Sequence, residues 1–208
     1  MEAVLIWVIV AATVGGGMQF LQRHGRRLAV PVATLTLAAV TTAVSVAGIL
    51  SPAVLNALGR DRSRLVDGQW WRIVTPLVVQ DGAWGGLVFN VVVLLVVGTV
   101  AESIVGARTT VFVYLVSGVA SEVVAYTLIP HQGFAGNSVA DLGLAGLCLA
   151  MYVLARRGPA VVFGVVGLLA GLVLLVTGNL HGVGFTAGAL CGAGIVWWRS
   201  RLSPVTSE

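Results

Sequence analysis

The sequence predicts an all-α polytopic membrane protein with seven transmembrane helices, from its composition and from the length of its apolar runs. Of the 208 residues, 58% are hydrophobic and only 10% are charged, and the mean hydropathy is +0.99. A soluble domain carries about 25% charged residues. The apolar residues also occur in runs of about 20, which is the length of a helix that crosses a bilayer. These observations exclude a soluble globular fold.

Seven apolar runs are each expected to form one membrane-spanning helix. They lie near residues 4–21, 29–50, 86–104, 109–129, 138–155, 159–177 and 182–198. The first run is similar to a signal peptide, but signal peptides carry their positive charges before the apolar region. Here Arg23, Arg26 and Arg27 follow the run, so we expect it to remain as a transmembrane helix.

The arginines predict how these helices are oriented. The net charge of +4 comes entirely from arginine, because the chain contains no lysine, and the cytoplasmic ends of transmembrane helices are rich in basic residues. With the N-terminus outside, the cytoplasmic ends carry Arg23, Arg26, Arg27, Arg108, Arg156, Arg157, Arg199 and Arg201. We therefore expect a cell-membrane protein with its N-terminus outside and its C-terminus in the cytoplasm. Since topology explains the basic charge, no nucleic-acid partner is expected.

The connection at residues 51–85 is the one long loop in the predicted topology. It contains Trp70, Trp71 and Trp84, and Arg72 directly follows the first pair. Tryptophan is enriched where a membrane meets water. The loop is therefore expected to lie on the outer interface or to dip into it.

Ser138 and His181 are the polar residues in or beside the predicted helices that best suit catalysis. Each precedes or begins a helix that runs inward, so both lie at a similar depth near the outer surface. A neighbouring imidazole can accept the serine proton, and the free N–H groups at a helix start can stabilise an oxyanion. The alternative is that Ser138 caps its helix and His181 satisfies a neighbour.

Small residues would allow these two helices to approach closely, as small residues do between membrane helices. They recur along one face of each helix and are Gly184, Gly188 and Gly192 after His181, and Ala140, Gly143 and Gly146 after Ser138. Close packing of these faces would bring the serine and the histidine together.

At these positions the sequence resembles the rhomboid family of intramembrane serine proteases. The nucleophile stretch of that family, G-x-S-G-x-x-x-G-L-x-G, is matched by GNSVADLGLAG at Gly136, Ser138, Gly143, Leu144 and Gly146. The family's base motif, H-x-x-G-x-x-x-G, is matched at His181, Gly184 and Gly188.

Two further rhomboid motifs lie earlier in the chain. The Trp-Arg pair of the long outer loop is matched by Trp71 and Arg72. The spacing of an asparagine, a glutamate and a glycine in the second core helix is matched by Asn90, Glu102 and Gly106. Four motifs in the family's order make the resemblance specific.

The resemblance implies a rhomboid-like six-helix membrane core at residues 28–201. An accessory transmembrane helix with a basic cytoplasmic turn, residues 1–27, precedes it, and a short cytoplasmic tail, residues 202–208, follows. The resemblance also implies that Ser138 is the nucleophile and His181 the general base. Asn90 and the Ser138 N–H would form the oxyanion hole, and neither a cofactor nor a metal is expected.

Several positions depart from the family pattern. Gly86 stands where many members have a further oxyanion-binding histidine, Val139 replaces the glycine after the nucleophile, and Leu142 replaces a tyrosine that stacks on the base. Gly136 and Asp141 are possible accessory residues. Asp141 has three possible roles: favouring the positive end of its helix, bonding a donor on a neighbouring element, or orienting His181 as the acid of a triad does.

The leading expectation is an intramembrane serine protease that cuts transmembrane segments of other membrane proteins near the outer face. The alternative is a catalytically inactive rhomboid-like protein that binds such segments. A transporter would need a polar pathway across the membrane, whereas Asn90, Ser138 and His181 gather near one side. The expected partners are transmembrane substrates and the lipid bilayer, and the sequence assigns no oligomeric state.

Overall fold

The computed structural model describes residues 1–129, 135–155 and 158–202, and every regular element in these ranges is helical. The apolar helices are α1 (Glu2–Arg23), α2 (Val32–Leu50), α5 (Ala83–Val105), α6 (Ala107–Leu128), α7 (Ser138–Leu154), α8 (Ala160–Val176) and α9 (Leu180–Leu202). The connection after α2 holds α3 (Pro52–Leu58), α4 (Arg62–Val66) and two 3₁₀ turns at Trp70–Ile73 and Thr75–Val78. Arg156, Arg157 and residues 203–208 lie outside the described residues.

The seven apolar helices confirm the predicted all-α polytopic membrane fold. Helices α1, α2, α5, α6 and α9 are long and apolar enough to cross a membrane, while α7 and α8 are apolar helices of 17 residues. A helix of that length extends about 25 Å, at the short limit of what spans a bilayer. The predicted ends are close to the observed ones; the largest difference is at the end of α9, predicted at 198 and observed at 202.

Helix α7 is the centre of the bundle. It packs against α1, α5, α6, α8 and α9, and all of its residues from Val139 to Tyr152 are buried. A helix that is apolar on every face is stable only when other helices surround it or when it lies in lipid. The helix that begins with Ser138 is therefore held on all sides by protein.

Glycines set the distance between α7 and α9. A Cβ on Gly188 would overlap the backbone of Gly143, and a Cβ on Gly146 would overlap the backbone of Phe185. A Cβ on Gly184 would also collide with the backbone of α7. The two backbones therefore touch along the small-residue faces, and both helices begin at the same end of the bundle. We call this the cleft end.

Helix α1 is packed into the bundle against α8, α7 and α5. Ile9 and Thr13 are completely buried, and the Tyr152 hydroxyl of α7 donates a 2.9 Å hydrogen bond to the Thr13 carbonyl. A Cβ on Gly16 would lie 2.6 Å from the Tyr152 ring. Glycine at this position therefore allows α1 to pack closely against α7.

The connection between α2 and α5 is organised by Arg72, whose side chain is 1% exposed. Its guanidinium donates to the Gln69 side chain at 2.8 Å and to the carbonyls of Gly59 and Asn56 at 2.5 and 3.0 Å. The Tyr126 hydroxyl of α6 donates to the Arg72 carbonyl at 3.0 Å. One arginine thus joins the short helices to each other and to the bundle.

A buried ion pair fastens the same connection to α6. Arg60 donates two hydrogen bonds of 2.7 and 2.6 Å to the carboxylate of Glu122. The two side chains are only 7% and 1% exposed. Because the two charges are paired and joined by two hydrogen bonds, they avoid the large free-energy cost of burying an isolated charge.

Glu102 links α5 to α2 at the opposite end of the bundle. Its carboxylate accepts hydrogen bonds from the backbone N–H groups of Ala33 and Thr34 and from the Thr34 hydroxyl, at 2.8–3.0 Å. These N–H groups belong to the first turn of α2 and have no acceptor within their own helix. Gly106 forms the one-residue turn from α5 to α6 with φ +84°, a conformation that favours glycine.

Candidate active site

Ser138 and His181 meet at the cleft end. Ser138 is the first residue of α7 and His181 the second residue of α9. The Ser138 Oγ lies 2.9 Å from His181 Nε2, within hydrogen-bonding distance. The close approach of α7 and α9 therefore brings together two residues that are 43 positions apart in the chain.

The α8–α9 turn determines where His181 lies. Helix α8 ends in a Schellman motif, in which the N–H of Asn179 donates to the Leu174 carbonyl and that of Gly178 to the Leu175 carbonyl. Gly178 has φ +75°, which suits glycine at this position. The turn reverses the chain in a few residues and starts α9 beside α7.

The partners of His181 Nδ1 determine which ring nitrogen carries the proton. Asn179 Oδ1 lies 2.8 Å from Nδ1 and also accepts the backbone N–H of His181 at 2.9 Å, so this atom must be the amide oxygen. A Glu2 carboxylate oxygen lies 3.1 Å from the same Nδ1. Both neighbours accept hydrogen bonds, so Nδ1 carries the proton and Nε2 is free to accept the proton of Ser138.

A chain of side-chain amides leads from the cavity into the core. Asn90 Nδ2 donates to Gln80 Oε1 at 2.6 Å, and Gln80 Nε2 donates to Asn137 Oδ1. Asn137 Nδ2 then donates to both oxygens of Asp141, at 2.9 and 2.8 Å. Gln80, Asn137 and Asp141 are all buried. The chain holds the amide of Asn90 in a defined orientation.

A cavity of about 680 Å³ opens at the paired residues. Ser138, His181, Asn90, Gly136 and Gly86 all line it. A Cβ on Gly136 would lie 2.9 Å from Gln80 Oε1, so glycine here allows the amide chain to pass. In the described part of the chain, no heavy atom lies within 4 Å of a Cβ built on Gly86. Among the described residues, none fills the position of the family's additional histidine.

Asp141 lies in the first turn of α7, where both of its oxygens accept hydrogen bonds from Asn137. Among the described residues, its side-chain bonding partner is thus on the adjoining turn. The polar atoms beside His181 Nδ1 belong to Asn179 and Glu2. This geometry supports a structural role for Asp141 and gives no support to its role as a triad acid.

The remaining motif residues lie away from the cavity in the described part of the chain. Trp71 is 41% exposed, and Arg72 orders the connection in which it lies. Glu102 and Gly106 belong to the opposite end of the bundle, where they join helices. Arg72, Glu102 and Gly106 support the architecture that holds the site.

Sequence reasoning missed four residues of the site. Asn179 could have been found as a helix-capping residue two positions before His181. Asn137 directly precedes Ser138, whereas Gln80 lies ten positions before Asn90, and nothing in the sequence pairs Gln80 with Asn137. Glu2 lies in the first helix, far from His181 in the chain, so no local pattern indicates the contact.

The fold and the site define a polytopic helical membrane protein with a serine–histidine pair in a polar cavity at one end of its bundle. The family model for the rhomboid domain matches residues 67–201, which is more than half of the chain. The chain belongs to the rhomboid family, and the predicted family resemblance is confirmed.

The chain is similar to the rhomboid protease GluP of Bacillus subtilis (strain 168). The two sequences are 32% identical over 103 residues, which is 49% of this chain and 20% of that protein. The match thus spans about a fifth of the relative's length. The first two helices of this chain, α1 and α2, precede the region that the family model matches.

Proposed function

We propose that this protein is an intramembrane serine protease that cleaves transmembrane segments of other membrane proteins. The observation that carries the proposal is the arrangement around His181. Nε2 faces the Ser138 hydroxyl at 2.9 Å while acceptors flank Nδ1. A base in this tautomer is what a serine nucleophile requires. Membership in the rhomboid family and the similarity to a rhomboid protease support the same function.

In the proposed acylation step, Ser138 Oγ attacks the carbonyl carbon of the scissile bond and its proton moves to His181 Nε2. The Asn90 amide and the Ser138 backbone N–H donate to the oxygen on which negative charge develops. The carbon–nitrogen bond then breaks, and the leaving amine takes the proton from Nε2. The product of this step is an ester between the substrate and Ser138.

Deacylation follows the same path with water as the nucleophile. Water attacks the ester carbonyl and gives a proton to Nε2, and that proton returns to Ser138 Oγ as the ester bond breaks. The second product carries a new carboxyl group. The polar cavity supplies the space in which water reaches the ester.

The oxyanion hole proposed here has one donor fewer than in many family members, because Gly86 replaces the histidine. Loss of one such donor costs about 10²–10³-fold in rate in a serine protease. We therefore propose a slow protease.

The second candidate is a rhomboid-like protein that binds transmembrane segments without cutting them. Gly86, Val139 and Leu142 favour it, since each departs from the pattern of the active family members. The hydrogen bond between Ser138 and His181 favours the protease, because a protein that only binds has no need for it.

We also propose the topology in which α1 starts outside the cell, and in which α1 is accessory to a core formed by the later helices. In this topology the cleft end faces outward, so cleavage would occur near the outer surface. The positions of the arginines support this orientation.

A serine-reactive fluorophosphonate tests the proposed function in purified protein reconstituted in liposomes. Wild type should be labelled covalently, whereas Ser138→Ala and His181→Ala should not. A model transmembrane substrate should be cut by wild type alone. Folded wild-type protein that neither reacts with the probe nor cuts any of several substrates would favour the binding protein instead.

A further inference from the structure

The accessory helix α1 contributes a charged side chain to the candidate active site. Glu2 Oε1 lies 3.1 Å from His181 Nδ1, and Met1, Glu2 and Leu5 all line the cavity that contains Ser138. We propose that Glu2 is a positioning residue for His181, so that α1 completes a Glu–His–Ser arrangement. This inference rests on the proposed protease function.

The position of Glu2 is determined by the packing of α1. Two turns further along, Ile9 is completely buried, as is Thr13, and Tyr152 holds the Thr13 carbonyl. Because α1 is anchored at these points, its first turn is held in a fixed position beside the cavity. Glu2 also carries its negative charge at the N-terminus of α1, where a helix favours an anion.

Two oxygens compete for the one Nδ1 proton, and they differ in charge. Asn179 is neutral. Its amide oxygen accepts both the backbone N–H of His181 and the Nδ1 proton, and this holds the ring in its resting tautomer. Glu2 is anionic. When Nε2 takes the proton of Ser138 the ring becomes a cation, and a carboxylate at this distance stabilises that cation far better than an amide does. Glu2 would therefore act mainly in the transition state.

Three other charged side chains at or near the cavity, among the residues that the structure describes, have partners of their own. Arg60 bonds to Glu122, and the Asp81 carboxylate accepts the Ala135 N–H at 3.0 Å. Asp141 accepts two bonds from Asn137. Glu2 is the carboxylate whose contact with the His181 ring the structure records.

The substitution Glu2→Gln removes the charge and keeps the shape of the side chain. It should lower both the rate of fluorophosphonate labelling and kcat by about tenfold, with KM and Tm unchanged. A triad acid contributes about 10⁴-fold. We expect less because the Glu2 side chain is 52% exposed and Asn179 still orients the ring. Asp67→Asn is the matched control, because it removes one exposed carboxylate in the α2–α5 connection, away from the cavity.

Labelling of wild type and Glu2→Gln at equal rates, with equal kcat, would overturn the inference. A parallel fall in Tm and kcat would also overturn it, because that result indicates only a structural role. The 15N NMR signals of the His181 ring provide a readout that needs no activity, since the chain has three histidines and His181→Gln assigns the signal. Glu2→Gln should shift the Nδ1 signal of His181 and Asp67→Asn should not. Failure of wild type to react with the probe would instead contradict the proposed function, while the NMR comparison would still test the Glu2–His181 contact.

Discussion

The direction of the amide chain follows from its last member, Asp141. A carboxylate accepts hydrogen bonds, so Asn137 must present its N–H₂ group to it and its oxygen to Gln80. Gln80 must then present its oxygen to Asn90. The nitrogen end of the Asn90 amide is thereby held against Gln80, and both residues line the cavity. A buried acid three positions after the serine thus orients a proposed oxyanion donor at the other end of the network.

The first residue-scale prediction concerns Asp141→Asn. The substitution removes the acceptor that aligns the amides and leaves buried polar groups poorly paired, which costs about 1–3 kcal/mol of stability. Tm should fall, and kcat should fall as Asn90 loses its orientation. The acidic limb of the pH–rate profile should stay in place, since Asp141 bonds to Asn137 rather than to His181. A shift of the acidic limb in Asp141→Asn would instead indicate that Asp141 acts as a triad acid.

The second residue-scale prediction is a gain of activity from Gly86→His. Gly86 lines the cavity, and in the part of the chain described here a Cβ on it meets no atom within 4 Å. An imidazole N–H would add an oxyanion donor, so kcat should rise by about tenfold, less than the 10²–10³ that evolved donors supply. Gly85→His is the control, because Gly85 is equally open but does not line the cavity. Equal effects of the two substitutions would contradict the prediction.

At the scale of helices, the site depends on the contact between α7 and α9. The Ser138–His181 distance is set by backbones that touch at Gly143, Gly146, Gly184 and Gly188. Apolar attraction between helices is weak in lipid, so small residues that allow close van der Waals packing stabilise such contacts. The glycine motifs therefore set the distance between the two residues that are proposed to be catalytic, Ser138 and His181.

Gly188→Leu should separate these helices. Its Cβ would overlap the backbone of Gly143, and forcing extra atoms into a packed contact costs about 1–3 kcal/mol or more. Thermal melting in detergent should show a lower Tm, and labelling of Ser138 should slow. Gly194→Leu is the matched control on the same helix, since its Cβ meets no atom of the described chain within 4 Å. If both variants melt like wild type, the proposed role of the glycine face is wrong.

Arg72→Lys tests how the α2–α5 connection is held. A lysine keeps the charge but cannot reach Gln69, Gly59 and Asn56 with one planar fork. Each lost bond to a charged group costs about 1.5–3 kcal/mol, so Tm should fall clearly. Arg62→Lys, an exposed position in the same connection, should leave Tm unchanged. A similar Tm for Arg72→Lys and wild type would show that the network contributes little.

At the scale of the whole molecule, the proposed orientation decides on which side of the membrane cleavage occurs. In a background with Cys148 and Cys191 replaced by alanine, Val66→Cys should react with an impermeant thiol reagent added to intact cells. Leu28→Cys, in the connection between α1 and α2, should react only after lysis. Both positions are well exposed. The reverse pattern would place the cleft end in the cytoplasm.

The number and approximate ends of the spanning helices could be predicted because hydrophobic length is a local property of the chain. The pairing of Ser138 with His181 could be predicted because the family motifs and the common direction of two helices point to it. The tautomer of His181 could not, since it depends on Asn179 and on Glu2, and a motif read along one segment contains no information on a distant partner.

Taken alone, the sequence determined the class of fold, the family and the two residues proposed to do the chemistry. Each of these follows from the order of residues along one helix or from the spacing within one motif. The tertiary structure decided what surrounds that chemistry: the amide chain that ends on Asp141, the space that the described residues leave open at Gly86, and the contact of Glu2 with His181. These features depend on which helices pack side by side, and hydrogen bonds a few ångströms long form only after that packing has brought distant segments together.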